Sequence, residues 1–100
     1  MDRTFNRYRF TKSVPMREAD DSLMLAVLAA EGNCGRSSVR LDASFTLDKT
    51  KRTCVIDVTT EVGQQISRIF TAFVTKQFGE ESFAVEQGST SDRPTAQPAE

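Results

Sequence analysis

The chain has 100 residues, of which 38% are hydrophobic and 27% are charged, and its formal net charge is −1. This is the composition of one globular domain, and a charge near zero gives no general attraction to nucleic acid or to a membrane surface. The sequence contains no histidine, which excludes histidine-dependent nucleophiles, general bases and metal sites. We therefore expect no cofactor and no metal.

The N-terminal segment combines positive charge with a strand-like pattern. Tyr8 and Phe10 alternate with Arg7 and Arg9, and a period of two is typical of a β-strand with one buried face. Residues 1–17 carry five basic side chains against one acidic side chain. The segment is predicted either as a first strand or as a basic N-terminal arm outside the fold.

Two stretches have the apolar spacing of helices. The first is predicted to begin at Asp20 or Asp21 as N-cap and to end at Gly32, because acidic residues cap helix starts and glycine ends helices. It is apolar on nearly every side, so we expect it to be deeply buried or to offer a face to a partner. An outer side formed by Leu25, Leu28 and Ala29 would then be available for contact.

The second helix is predicted to begin after Thr60 as N-cap and to reach Gln77 or Phe78, with Gly79 as the terminating glycine. Gly63 lies in its first turn. Because glycine weakens a helix, this position indicates close packing against another backbone.

Period-two alternation predicts three further strands. Residues 38–47 and 53–58 alternate and are joined by a short polar segment, residues 48–51, which predicts a hairpin. A last strand is expected around Phe83 and Val85. The domain is predicted to span residues 1–87, and residues 88–100, which contain Gly88, two prolines and no large apolar residue, are predicted to be a disordered tail.

If the first segment is a strand, the element order βαββαβ predicts a ferredoxin-like α+β sandwich, with a four-stranded antiparallel sheet carrying both helices on one face. The alternative is αββαβ preceded by the basic arm. The expected core residues are Val27, Phe45, Ile56, Ile69, Phe70, Phe73 and Phe83. The sheet face without helices is expected to carry Arg7, Arg9, Thr11, Arg40, Asp42, Ser44, Thr53, Val55, Asp57, Ser82, Ala84 and Glu86.

Five charged residues of this face and Arg36 of the 32–38 loop are candidates for binding. The five on the face are Arg7, Arg9, Arg40, Asp42 and Asp57. Arginines and acids in similar numbers suit either a solvated face or a two-fold symmetric dimer contact. Arginines interleaved with aromatic residues are also used to bind single-stranded nucleic acid. The glycine-containing loop 32–38, with Arg36, resembles an anion-binding nest but lacks the GK[ST] ending of a phosphate loop.

Three classes of function remain open from the sequence. The leading hypothesis is a small non-enzymatic interaction or regulatory domain that forms a homodimer. The first alternative is binding of nucleic acid or a phosphorylated ligand through the basic N-terminal strand and the 32–38 loop. The second is an enzyme or small-ligand carrier with its site at the dimer interface. The arginines interrupt any apolar N-terminal stretch and the two cysteines, Cys34 and Cys54, lack CxxC spacing, so we expect a cytoplasmic protein without a membrane partner.

Overall fold

The fold is a two-layer sandwich, seen in a computed structural model that describes residues 2–37 and 42–90. The elements are β1 (Arg3–Phe10), α1 (Met16–Cys34), β2 (Phe45–Asp48), β3 (Thr53–Asp57), α2 (Glu61–Phe78), a 3₁₀ turn (Glu80–Ser82) and β4 (Phe83–Thr90). The strands form one antiparallel sheet in the order β2-β3-β1-β4. The predicted ferredoxin-like βαββαβ arrangement is confirmed, and the alternative with a free N-terminal arm is wrong.

Strand β1 lies in the interior of the sheet, between β3 and β4. Its even-numbered residues Tyr8 and Phe10 are buried beneath the helices, and both rings meet Phe70 of α2 edge to face. The Tyr8 hydroxyl lies 2.6 Å from the hydroxyls of both Ser67 and Thr71. Burial raises the pKa of Tyr8, although these hydrogen bonds oppose the rise, so the phenol stays neutral in the core.

The limits of α1 differ from those predicted. The helix begins at Met16, because the Pro15 carbonyl accepts the N–H groups of Glu18 and Ala19, and the cap expected at Asp20 or Asp21 is wrong. It ends at Gly35, whose φ of 90° is the left-handed conformation that favours glycine. The expected stop at Gly32 is therefore wrong as well, since this residue continues the helix.

Helix α2 begins and ends as predicted. The Thr60 hydroxyl accepts the N–H of Gly63 at 3.2 Å, and Gly79 follows the last turn with a φ of 93°. Gly63 is buried against the end of β3, where a Cβ atom would lie only 1.8 Å from the carbonyl oxygen of Asp57. The close backbone packing expected at Gly63 is confirmed, and it fixes the distance between α2 and the sheet.

The second and fourth strands correct two predictions. The strand expected over residues 38–47 is shorter, because Asp42 has helical backbone, and pairing with β3 extends only from Phe45 to Asp48; residues 38–41 lie outside the described residues. Strand β4 continues to Thr90, where it pairs with Arg3. The first residues of the segment expected to be a tail therefore belong to the sheet, and residues 91–100 lie outside the described residues.

The buried core includes only part of the set that the sequence pattern predicted. Ile56 and Phe70 are fully buried, as predicted. The other five expected core residues, Val27, Phe45, Ile69, Phe73 and Phe83, are only partly buried and pack around its margin. Ile66, Phe70 and Val74 form the stripe of α2 that faces the sheet, so Phe73 lies on the flank of the helix.

Replacing Gly63 with alanine should destabilise the domain by about 3 kcal/mol, at the upper end of the usual cost of overpacking, because the new methyl group meets the Asp57 carbonyl. Helix propensity alone would give the opposite sign. Gly32→Ala is the matched control: this glycine is also helical but has nothing within 4 Å of a Cβ, so we expect up to about 1 kcal/mol of stabilisation. Urea denaturation measures both, and equal effects would contradict the contact.

Candidate functional site on the open sheet face

The sheet face opposite the helices carries three of the six candidate binding residues, namely Arg7, Arg9 and Asp57. Arg7 and Arg9 alternate with the buried residues of β1, and their neighbours in register include Val55 and Thr53 of β3 and Glu86 and Ala84 of β4. Twelve residues make up this open face: Arg3, Phe5, Arg7, Arg9, Thr46, Asp48, Thr53, Val55, Asp57, Ala84, Glu86 and Gly88. The parity predicted for β1, β3 and β4 thus agrees with the structure.

Several predicted members are not part of this face. Asp42 lies before β2, is exposed, and uses its backbone carbonyl to accept the Thr60 hydroxyl at 3.1 Å. Arg36, which was predicted for the 32–38 loop and not for the face, is exposed just beyond the end of α1. Arg40, which was predicted for the face, lies outside the described residues, so its prediction is not tested. Ser82 is buried in the 3₁₀ turn. Thr11 and Ser44 lie next to strands but outside them.

The ion pairs on the open face leave its central arginine without a carboxylate. Arg3 donates from Nε to Oδ2 of Asp57 at 2.5 Å, and Nη2 of Arg9 lies 3.3 Å from Oε1 of Glu86. Arg7 stands between these two pairs, and among the described residues no carboxylate lies within ion-pair distance of it. Its guanidinium is the charge that the face itself does not neutralise.

The carboxylate of Asp57 stabilises the fold and is too deeply buried to bind an external partner. Its side chain is only 2% exposed, and Oδ1 accepts the N–H of Thr59 at 2.8 Å while Oδ2 binds Arg3. Burial on its own would raise the pKa of this carboxyl, but the hydrogen bonds from Thr59 and Arg3 outweigh burial and hold the pKa below its ordinary value. Asp57 therefore ties the end of β3 to β1 as a charged group.

A depression of about 530 Å³ lies beside Arg7, toward the β4 edge of the face. It is lined by Phe5, Arg7, Val55, Glu86, Gln87, Gly88 and Ser89. A second hollow, toward β2, includes Arg9 and Arg52. The Arg52 guanidinium is already engaged, because it donates to the backbone carbonyls of Thr11 and Val14.

The structure separates the aromatic residues that the N-terminal segment interleaves with its arginines. Tyr8 and Phe10 are buried in the core, where they cannot stack on a base. Phe5 alone of the three lies on the open face, half-buried next to Arg7. Stacking of successive bases needs several exposed rings, so this arrangement favours packing over single-stranded nucleic acid.

Other candidate chemistry is sparse in the described part of the chain. Cys34 and Cys54 carry free thiols, and burial together with the charge of Asp20 raises the pKa of Cys54 to about 12, which keeps this thiol unreactive. Residues 2–37 and 42–90 hold no group of three or more acidic, cysteine or histidine side chains suited to a metal ion. Within the same ranges, neither helix is long and apolar enough to cross a membrane.

Comparison with known proteins does not assign the chain. No protein-family model matches it, and no curated protein is significantly similar in sequence. The geometry of the open face is consequently the ground on which a function can be argued.

Phe5 and Gly88 both line the depression, but the sequence analysis did not assign either residue to the open face. Phe5 shares the parity of Arg7 and Arg9, so extending the alternation by one step would have placed it on the open face. Gly88 was assigned to the tail, although a glycine within a strand often marks a place where another group approaches the backbone. Its pairing opposite Phe5 depends on the register between β1 and β4, which the local pattern does not contain.

Asp57→Asn should destabilise the domain by about 1–3 kcal/mol at pH 7, because it weakens the charged hydrogen bonds to Arg3 and Thr59. The folded-state pKa of Asp57 is lowered, so its stabilising contribution is present above the unfolded pKa of about 3.9 and is lost as the pH falls through the folded value. The difference between variant and wild type should therefore shrink at pH 2–3. Glu86→Gln removes an exposed pair and should cost less than about 1 kcal/mol at either pH; a larger effect there than at Asp57 would contradict this assignment.

Proposed function

We propose that this chain is a small interaction domain that works as a homodimer, joined through the open sheet face. The observation that supports this most is the balance of charge on that face. Arg3, Arg7 and Arg9 stand among the exposed carboxylates of Asp48 and Glu86, and the buried carboxylate of Asp57 already binds Arg3. Beyond that pair the face carries two arginines and two exposed carboxylates, and a surface with both charges in equal number is complementary to a second copy of itself.

The centre of the face gives such a dimer an apolar contact. Phe5 and Val55 are both half-buried within the single chain and flank Arg7. Two sheets that pack face to face lie about 10 Å apart, with side chains from both filling the space between them. In that arrangement Phe5 and Val55 would lose their remaining contact with water, and Arg7 would meet a carboxylate of the other copy.

The size of the face sets the expected strength of association. Strands of 8, 4, 5 and 8 residues cover roughly 400 Å² in the plane of the sheet, and their side chains expose more. Two such faces together come close to the about 1,000 Å² that separates specific interfaces from incidental contacts. Interfaces at this lower limit belong to weak or transient complexes, so we expect a dissociation constant no tighter than the micromolar range.

Helix α1 offers a competing surface. Met24, Leu25 and Leu28 are 44%, 55% and 60% exposed on its outer side. The exposed charges on the first turns of α1, before this ridge formed by Met24, Leu25 and Leu28, are Arg17, Glu18 and Asp21, so acidic residues outnumber basic ones there. Two copies meeting there would bring like charges together, so the open face suits self-association better.

The free thiols of Cys34 and Cys54 support a reducing compartment, in keeping with the expected cytoplasmic location.

Charge reversal across the dimer tests this proposal. Arg7→Glu leaves the face with an excess of acids, and Glu86→Lys leaves it with an excess of bases, so each variant alone should sediment with the mass of one chain at concentrations where wild type sediments with twice 11.1 kDa. An equimolar mixture of the two variants should recover the dimer mass. Sedimentation equilibrium between about 1 and 500 µM covers the affinity range argued from the interface area.

The double variant Leu25→Gln, Leu28→Gln is the control for the ridge on α1 and should keep the wild-type association. Circular dichroism spectra establish that each variant is folded. A wild-type mass of one chain at 500 µM, or a dimer that the ridge variant abolishes and Arg7→Glu does not, would contradict the proposal.

A further inference from the structure

The depression beside Arg7 has the shape and lining of a small-molecule site. Its volume of about 530 Å³ falls within the roughly 300–1,000 Å³ usual for ligand pockets. Phe5 and Val55 supply apolar surface, and Arg7 supplies a positive charge. Sites for small organic ligands combine an apolar lining with a few placed polar groups in this way.

Gly88 lines the depression and pairs with Phe5 across β1 and β4. A Cβ atom built at Gly88 would have nothing within 4 Å. The missing side chain therefore leaves open space next to the Phe5 ring, on the face of an otherwise continuous strand. Open space in a depression lined by an aromatic ring suits a planar aromatic group, since aromatic rings prefer offset or edge-on contact with one another.

The charges around the depression favour an anion. Glu86 also lines it, but its carboxylate is drawn toward Arg9, with 3.3 Å between Oε1 and Nη2. Arg7 has no carboxylate within ion-pair distance among the described residues. Its guanidinium can therefore donate two parallel hydrogen bonds to a carboxylate or a sulfonate.

We propose that this depression binds a small aromatic anion, with the ring against Phe5 above Gly88 and the acidic group on Arg7. The site does not need the proposed dimer: a second copy packed on the open face would contact Phe5, Val55 and Arg7 itself, so the ligand and the second copy would compete for these residues. The chemistry of recognition lies within a single chain, so the site and the dimer can fail separately.

Two fluorescent probes that differ in charge test the site. 8-Anilino-1-naphthalenesulfonate carries an aromatic body and a sulfonate, and N-phenyl-1-naphthylamine has the same rings without the charge. Wild type should bind the sulfonate about tenfold more tightly than the neutral amine, because a hydrogen bond to a charged group contributes about that much to binding.

Two variants separate the ring contact from the charge contact. Gly88→Val fills the open space without a clash inside the chain and should weaken both probes about tenfold. Arg7→Met keeps most of the aliphatic part of the side chain and removes its charge, so it should weaken the sulfonate about tenfold and leave the amine unchanged. Ala84→Val is the matched control, because Ala84 lies on the same face of β4 but outside the depression.

The mass of every variant is measured beside its probe affinity. Probe binding that falls in Gly88→Val and Arg7→Met but not in Ala84→Val supports the site, whether the mass is that of one chain or of two. Binding that these variants leave unchanged, or that Leu25→Gln, Leu28→Gln abolishes instead, overturns the site even if the dimer mass is intact. A mass of one chain with the predicted loss of probe binding overturns the dimer and keeps the site.

Discussion

Strand β1 is an interior strand that must satisfy neighbours on both sides and a core on one face. It pairs with β3 over Phe5–Arg9 and with β4 over its whole length. Because successive side chains of a strand point to opposite faces, burying Tyr8 and Phe10 under the helices forces Arg7 and Arg9 onto the open face. The charge on that face is therefore a consequence of how the core is filled.

The two layers are held in position at the end of β3. Gly63 of α2 lies against the Asp57 backbone so closely that no side chain fits between them. The carboxylate of the same Asp57 accepts hydrogen bonds from Arg3 and Thr59. One residue thus links the helix, the interior strand and the following turn, and this explains why a charged side chain is buried on a face that is otherwise open.

The same arrangement connects the two proposals. Arg3 and Arg9 are each held by a carboxylate of their own chain, whereas Arg7, between them, is left for an external group. A carboxylate from a second copy and the acidic group of an aromatic ligand have the same chemistry for this guanidinium. Gly88 leaves open space in the depression that Phe5 also lines, and an aromatic ligand would use this space.

Much of the fold could be predicted because it depends on the periodicity and capping residues of short sequence segments. The alternation in β1 and β3, the cap at Thr60 and the glycine at 79 all act within a few residues, and the structure agrees with each. The predicted strand limits were wrong where the length of a strand depends on a partner strand that is distant in the sequence. Strand β2 is limited by the extent of β3, and β4 continues past Gly88 because β1 offers it a pairing edge as far as Arg3.

The candidate site was only half accessible to sequence reasoning for the same reason. Arg7 and Arg9 could be placed by parity alone. Phe5 and Gly88 form the depression only through the register between β1 and β4, and Asp57, which looked available, is removed from the surface by its contact with Arg3. Local patterns give the face of a residue, while long-range pairing determines its neighbours.

The most direct test of the account is to locate the contact between two copies in solution. An isotope-filtered nuclear Overhauser experiment on an equimolar mixture of labelled and unlabelled chains reports only proton pairs from different copies. We predict intermolecular signals between the Phe5 ring and the Val55 methyl groups, both at the centre of the open face. Intermolecular signals confined to Leu25 and Leu28 of α1, or none at concentrations near 1 mM, would contradict it.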